Sequence, residues 1–206
     1  MLIQFMKGFI KMMLILMGVM VFQPDFQAQT VEFRDEPLYT DLKIALEHPG
    51  KVTRLALTRQ KFKRIPKQVF EFPNLRELDL SRNKITSIPP EIAQLKKLRI
   101  LNLERNDLES LPKELGDLMK LESLNLRKNE IYQVPDAILQ LTRLNNLCLS
   151  SNPIFKLPAK MTGMVQLIEL DIRSTDLHPE TIKSLQDALP ATRILWDSDC
   201  NCGPNH

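Results

Sequence analysis

Four cations stand 23 residues apart in this chain, Arg59, Arg82, Arg105 and Lys128, and Ser151 and Ser174 end the series at the same interval. Like charges in register suit carboxylates or phosphates, because guanidinium and ammonium groups donate charge-assisted hydrogen bonds to anionic oxygens. In water, neighbours about 5 Å apart repel by only ~0.8 kcal/mol, so the same column is equally tolerable as a solvated face without a ligand. Asp79, Glu104, Asp107 and Glu130 lie close enough to offset it.

Other chemistry finds less support. His48, His178 and His206 fall toward the two ends of the chain, away from the basic series. Glu77 and Asp79 are expected to point to differing faces of a strand, and the arginines near Glu104 and Asp79 keep both ionised, so no acid stands beside a base. Cys200-Asn-Cys202 with His206 offers three soft ligands where a closed zinc site takes four. Together with Cys148 the cysteines number three, an odd count that argues against a disulfide-framed scaffold and leaves any single pairing open. The expectation is therefore no catalytic residues, no metal and no cofactor.

The elements that position these side chains follow from the same interval. Windows open at Val52, Leu75, Leu98, Leu121, Leu144 and Leu167, and four of them read as L-x-x-L-x-L-x-x-N-x-[IL]-x-x-[IVL]-P-x-x-[IL]-x-x-L-x-x. Apolar positions 1, 4 and 6 contain a period-2 strand step, and positions 11, 14, 18 and 21 move to spacings of three to four. One coil is then a short strand, a turn and a return segment. A single coil cannot bury its apolar side, but six stacked coils place parallel strands about 4.8 Å apart around one core. Asn83, Asn106, Asn129 and Asn152, at position 9, carry the donors and acceptor to satisfy inward-pointing backbone groups between coils. Pro66, Pro89, Pro112, Pro135 and Pro158, at position 15, fit the first residue of a short helical turn. The pattern resembles the leucine-rich repeat family over about residues 52 to 189. The resemblance implies an α/β solenoid, with a curved parallel sheet on the concave side, short helical turns on the convex side, and Asn83, Asn106, Asn129 and Asn152 as its structural ladder.

The remaining chain supplies the ends. Residues 1–28 read as a signal peptide cleaved near Ala28, with Lys7 and Lys11 before the apolar run from Met12 to Phe22. Residues 29–51 form an N-terminal helical cap, its helix starting near Thr40 and ending before Gly50, with Leu38, Leu42, Ala45 and Leu46 on one face. Residues 52–189 hold the six repeats. Residues 190–206 form a C-terminal capping strand and tail, after a helix from Thr181 to Leu189, with Trp196 covering the last coil.

Strand positions 3, 5, 7 and 8 project from the concave sheet or its rim. Partner-binding candidates there are Glu77, Asp79, Ile100, Asn102, Asn125, Arg127 and the four cations, joined by Tyr132 and Phe155 at position 12 of adjacent coils, an aromatic pair suited to anchoring a protein. A net charge of +3, about +2 without the leader, together with the lack of strand aromatics, excludes nucleic acid as a partner. The function expected is non-enzymatic protein or peptide binding on the concave face by an exported monomer, periplasmic or extracellular, whose membrane contact is confined to the leader. The chain resembles small exported bacterial leucine-rich repeat proteins. One alternative is an acidic glycan or other polyanion bound at the cell surface; another, should the leader stay uncleaved, is an intracellular scaffold.

Overall fold

Alternation sets the strands. From β2 to β6 each three-residue strand buries its central residue and leaves both neighbours half-buried, as a sheet with one face on the core requires. The computed structural model describes residues 36–197. Within them eight strands run parallel in chain order: β1 (Leu38–Tyr39), β2 (Arg54–Ala56), β3 (Glu77–Asp79), β4 (Ile100–Asn102), β5 (Ser123–Asn125), β6 (Asn146–Cys148), β7 (Glu169–Asp171) and β8 (Arg193–Leu195). Leu55 pairs with Leu78, and the column continues through Leu101, Leu124, Leu147 and Leu170 to Ile194. From β2 to β7 the 23-residue sequence interval is thus the sheet register, and β8 pairs one residue later. The leader with its cleavage site near Ala28, and Cys200, Cys202 and His206, lie outside the described residues.

The return segments are 3-10 helices of five residues: Lys67–Glu71, Pro90–Gln94, Lys113–Asp117, Asp136–Gln140 and Ala159–Gly163. Each repeat proline stands one place earlier than its expected role, as the cap rather than the first helical residue, with φ between −77° and −55° and an extended ψ. Its fixed φ sets the turn, and its carbonyl accepts the first 3-10 bond, for example from Ile92 to Pro89 at 3.1 Å and from Met161 to Pro158 at 2.9 Å. Apolar side chains from strand and return segment form one continuous buried cluster from Ala45 to Ile194.

Both ends differ in detail from expectation. Helix α1 (Leu42–Glu47) is capped by Asp41, whose carboxylate accepts from the N–H groups of Lys43 and Ile44, and so begins two residues beyond Thr40. Ala45 is buried with Leu42 and Leu46 packed beside it, while Leu38 belongs to β1 and is exposed. Helix α2 (Pro179–Ala188) starts two residues before Thr181, because Pro179 takes the first helical position behind His178. Ile194, Leu185 and Leu189 close the core here; Trp196, 38% exposed, lies beside the last coil, where it lines a cavity with Ile172 and Leu177. Asp197 instead closes the open ladder, its carboxylate accepting from the Ser174 N–H that has no further coil to bond. Among the described residues no helix is long and apolar enough to cross a membrane.

Candidate functional site

The concave face is built from the residues on either side of each buried strand leucine. Glu77 and Asp79 flank buried Leu78 and therefore share that face, because residues two apart in a strand point the same way. This corrects the expectation that they diverge. They still make no acid–base pair. Glu77 accepts from Arg54 at 2.6 Å, and Asp79 Oδ1 accepts from the Ser81 N–H at 2.8 Å.

Asp79 is one of a set. Asn102 accepts from the N–H of Glu104 at 3.1 Å, Asn125 from Arg127 at 3.0 Å, and Asp171 from Arg173 at 3.2 Å. Each position-5 carbonyl or carboxylate thus closes an Asx turn that takes the chain out of its strand. One oxygen of Asp79, Asn102 and Asn125 is committed to the fold, and their remaining polar atoms face the concavity. At the sheet's middle Ile100, Asn102, Ser123 and Asn125 make a half-exposed neutral strip. Ion pairs bound it on either side, Arg54 with Glu77 and Arg193 with Glu169 at 3.2 Å.

Position 8 follows the Asx turn in a conformation that the sequence does not announce. Arg59, Arg82, Arg105 and Lys128 have φ of 57°, 59°, 56° and 56°, and Ser151 and Ser174 share it at 56° and 53°. This is the left-handed region, where only glycine, and less often Asn or Asp, is at ease. The backbone is held there by the next coil: the N–H of Arg82 donates to Glu104 at 2.8 Å, that of Arg105 to Arg127 at 2.8 Å, and that of Lys128 to Ser150 at 3.0 Å. The four cations are exposed and leave the backbone in a common direction. Of the four carboxylates expected to offset them, Glu104 does so, reaching Arg105 at 3.3 Å. At position 7, Arg127 is exposed but Ser81 and Ser150 are buried.

Behind this edge the asparagines are fully used. Asn129 accepts from the N–H of Leu108 at 3.1 Å and donates to the carbonyls of Leu103 and Leu126 at 3.0 and 2.8 Å. Asn83, Asn106 and Asn152 repeat these contacts with Phe62, Ile85 and Ile131 as their N–H donors. These four side chains are buried and unavailable to a ligand.

Toward the C-terminal end the face changes character. Cys148 occupies position 5, where its sulfur lies 3.3 Å from Ser150 Oγ and donates to Asp171 at 3.6 Å. Burial pushes the thiol up from its ordinary pKa, so it is a poor nucleophile. Burial acts in the same upward direction on Asp171, but the bonds from Arg173, at 2.9 and 2.8 Å, outweigh it and hold that carboxyl below its usual range. Arg173 is raised by the same pair. Sequence reasoning misses this cluster, because Cys148 and Asp171 meet only through the register.

On the flank Tyr132 and Phe155 lie in adjacent coils, 49% and 60% exposed, joined by the Phe155 N–H donating to the Tyr132 carbonyl at 3.0 Å and by a bridge between Gln133 and Lys156. His178 takes the equivalent place in the next coil. Beside it a cavity of about 720 Å³ opens between α2 and the last coil, lined by Leu177, Pro179, Ile182 and Trp196 among others. Among the described residues no three His, Cys, Asp or Glu side chains converge as a metal site.

Comparison with known proteins gives two family matches, a leucine rich repeat over residues 50–108 and a leucine-rich repeat region over residues 95–198. Among solved structures, a leucine-rich repeat protein of Leptospira interrogans is 30% identical, with a TM-score of 0.62, over 73% of this chain and 45% of its own. The structure of the TLR13–ssRNA13 complex is similar at 25% identity and a TM-score of 0.60, over 68% of this chain and 20% of its own. An internalin, inlF, of Listeria monocytogenes shares the fold at 24% identity and a TM-score of 0.55, over 69% of this chain and 38% of its own. The chain thus spans under half the length of each. A comparison with curated proteins found no match.

Proposed function

The chain belongs to the leucine-rich repeat family, whose domains generally mediate protein–protein interaction, and on that premise we propose that it is a non-enzymatic module binding a protein or peptide on its concave face. The observation that carries this reading is the neutral strip of Ile100, Asn102, Ser123 and Asn125. It has one apolar anchor, spare amide donors, a serine hydroxyl, and charges kept to its borders, the anatomy of a contact with a polar rim. Arg127 and the four cations line one edge of it. The leader directs the protein out of a bacterial cell, to a periplasm or the exterior.

A photo-reactive residue at Asn102 should crosslink a protein from envelope or culture fractions, whereas the same residue at Asp117 on the convex side should not. Equal or stronger crosslinking from Asp117 rules out the concave face. Full-length chain found in the cytoplasm with residues 1–28 retained would instead favour the intracellular scaffold.

The left-handed backbone supports a second reading. Four cations fixed in one direction by identical φ match an acidic glycan or other polyanion running along the coil axis at the cell surface. That reading requires affinity for a sulfated or carboxylated polymer that falls steeply with salt, since exposed charges are screened over about 8 Å at physiological ionic strength. It also requires loss of binding when Arg59, Arg82, Arg105 and Lys128 all become Asn. Retention in either test removes it.

A further inference from the structure

We propose that the strand-entry rim of the solenoid, opposite the basic column, docks on an anionic lipid surface. The sequence reading confines membrane contact to the leader; this rim is a separate feature that emerges only when coils are stacked. Three residues ahead of β4, β5 and β6 stand Lys97, Lys120 and Arg143, all exposed. Stacked coils hold them about 5 Å apart. Lys97 donates only to the neutral Asn74 amide, at 2.6 Å. Among the described residues no carboxylate pairs with Lys120 or Arg143.

The same rim carries three of the chain's exposed apolar side chains, Met119 at 52%, Val165 at 73% and Ile168 at 39%. Met119 precedes Lys120 in the chain, and Val165 and Ile168 lie one coil beyond Arg143. Three cations in successive coils, with Met119 beside the second and Val165 and Ile168 at the end of the row, thus share one edge about 15 Å long. That is the composition of a surface that sets lysine and arginine among headgroups and lets apolar side chains enter the acyl boundary. Met119, Val165 and Ile168 protrude from the rim, and none of them lines the cavities beside α2. A lipid surface takes protruding apolar tips flanked by cations without needing a complementary recess.

The test is vesicle co-sedimentation of the full-length chain, comparing phosphatidylcholine alone with phosphatidylcholine containing about 30 mol% phosphatidylserine, which gives the surface a negative potential. The leader, which carries Lys7 and Lys11, is common to all variants, so differences between variants report the rim. Each cation at an anionic surface contributes about fivefold, so Lys97→Gln, Lys120→Gln and Arg143→Gln together should cut the preference for anionic vesicles by about a hundredfold. Met119→Ser, Val165→Ser and Ile168→Ser together should weaken binding to both vesicles, and Asn at the four column positions should leave the preference intact. All six rim residues are exposed, so these variants should keep the parent's thermal unfolding. A glutamine variant that binds anionic vesicles as tightly as the parent overturns the proposal. So does a parent that ignores vesicles and binds soluble polyglutamate through the same residues, which would assign the rim to an acidic protein.

Discussion

The asparagine ladder makes a prediction that runs against simple burial. Asn129 lies in the middle of the ladder, and the carbonyls it holds are shared: Leu103 accepts also from Asn106, and Leu126 also from Asn152. Asn129→Ala therefore leaves one group without any partner, the Leu108 N–H, and removes one of two bonds from each carbonyl. An orphaned buried donor costs about 1–3 kcal/mol and each shared bond about 0.5, for a total of about 2–4 kcal/mol. Asn152 ends the ladder. Thr175, its successor, donates to Ile172 rather than to Leu149, so the Leu149 carbonyl has Asn152 as its side-chain donor. Asn152→Ala then orphans two groups, the Ile131 N–H and the Leu149 carbonyl, and should cost about 1 kcal/mol more than Asn129→Ala. Urea unfolding followed by circular dichroism, with m checked for constancy, measures both. Asn129→Asp keeps the acceptor for Leu108 but turns a carboxylate toward two carbonyls, and should cost at least as much as the alanine. A loss at Asn129 equal to or larger than that at Asn152, or under 1 kcal/mol at either, would refute the sharing argument.

Four further outcomes follow from local geometry. Arg82→Asn should raise thermal stability slightly, because Asn is more at ease at φ 59°, whereas Arg82→Val, a β-branched residue there, should cost about 1–2 kcal/mol. Gly116→Ala should destabilise by about 1–3 kcal/mol, since a Cβ there would lie 2.7 Å from the Ala137 carbonyl oxygen and 2.6 Å from Gln140 Oε1; Gly163→Ala, with open space, should not. The Asp171 carboxyl titrates lower folded than unfolded, so its stabilisation is complete above the ordinary carboxylate pKa of about 3.9 and disappears as pH falls through the folded value. Cys148 shifts the other way, so stability should decline as pH rises beyond the free-thiol range of about 8.5, and disulfide-exchange labelling at pH 8 should be slow until the protein unfolds. Asp171→Asn should flatten the acid limb and Cys148→Ser the alkaline one, read from melting temperature against pH.

Much of the fold is legible because each coil repeats its demands. The leucine, asparagine and proline columns recur at one interval, and that interval fixes strand register, core and ladder together. The ends are less legible, because they repeat nothing. Asp41 caps α1, and Ile194 is buried while Trp196 is left 38% exposed, outcomes decided by how two or three residues meet the first and last coils. The site is legible as a set of columns but not as chemistry. That position 5 spends an oxygen on the chain two residues ahead, and that position 8 is left-handed, are properties of backbone geometry. Asn102 and Asn125 suggest the first; three arginines and a lysine conceal the second.

That concealment bears on function. A left-handed residue other than glycine costs roughly 1–2 kcal/mol, and Asn, Asp or Gly is the usual remedy. The polymer's own construction therefore favours small residues at position 8, and Ser151 and Ser174 show that the coil closes without a cation, holding the same φ. Arg59, Arg82, Arg105 and Lys128 are thus not explained by building the coil. Nor are they explained by ion pairing within it, since Arg105 with Glu104 is the one pair they make among the described residues. The asparagine ladder stands in contrast, with every donor and acceptor spent inside the fold. Four strained, exposed and outward-directed cations beside a neutral strip are the part of this surface whose cost the solenoid does not recover, and a partner with acidic groups along that edge is what would offset it.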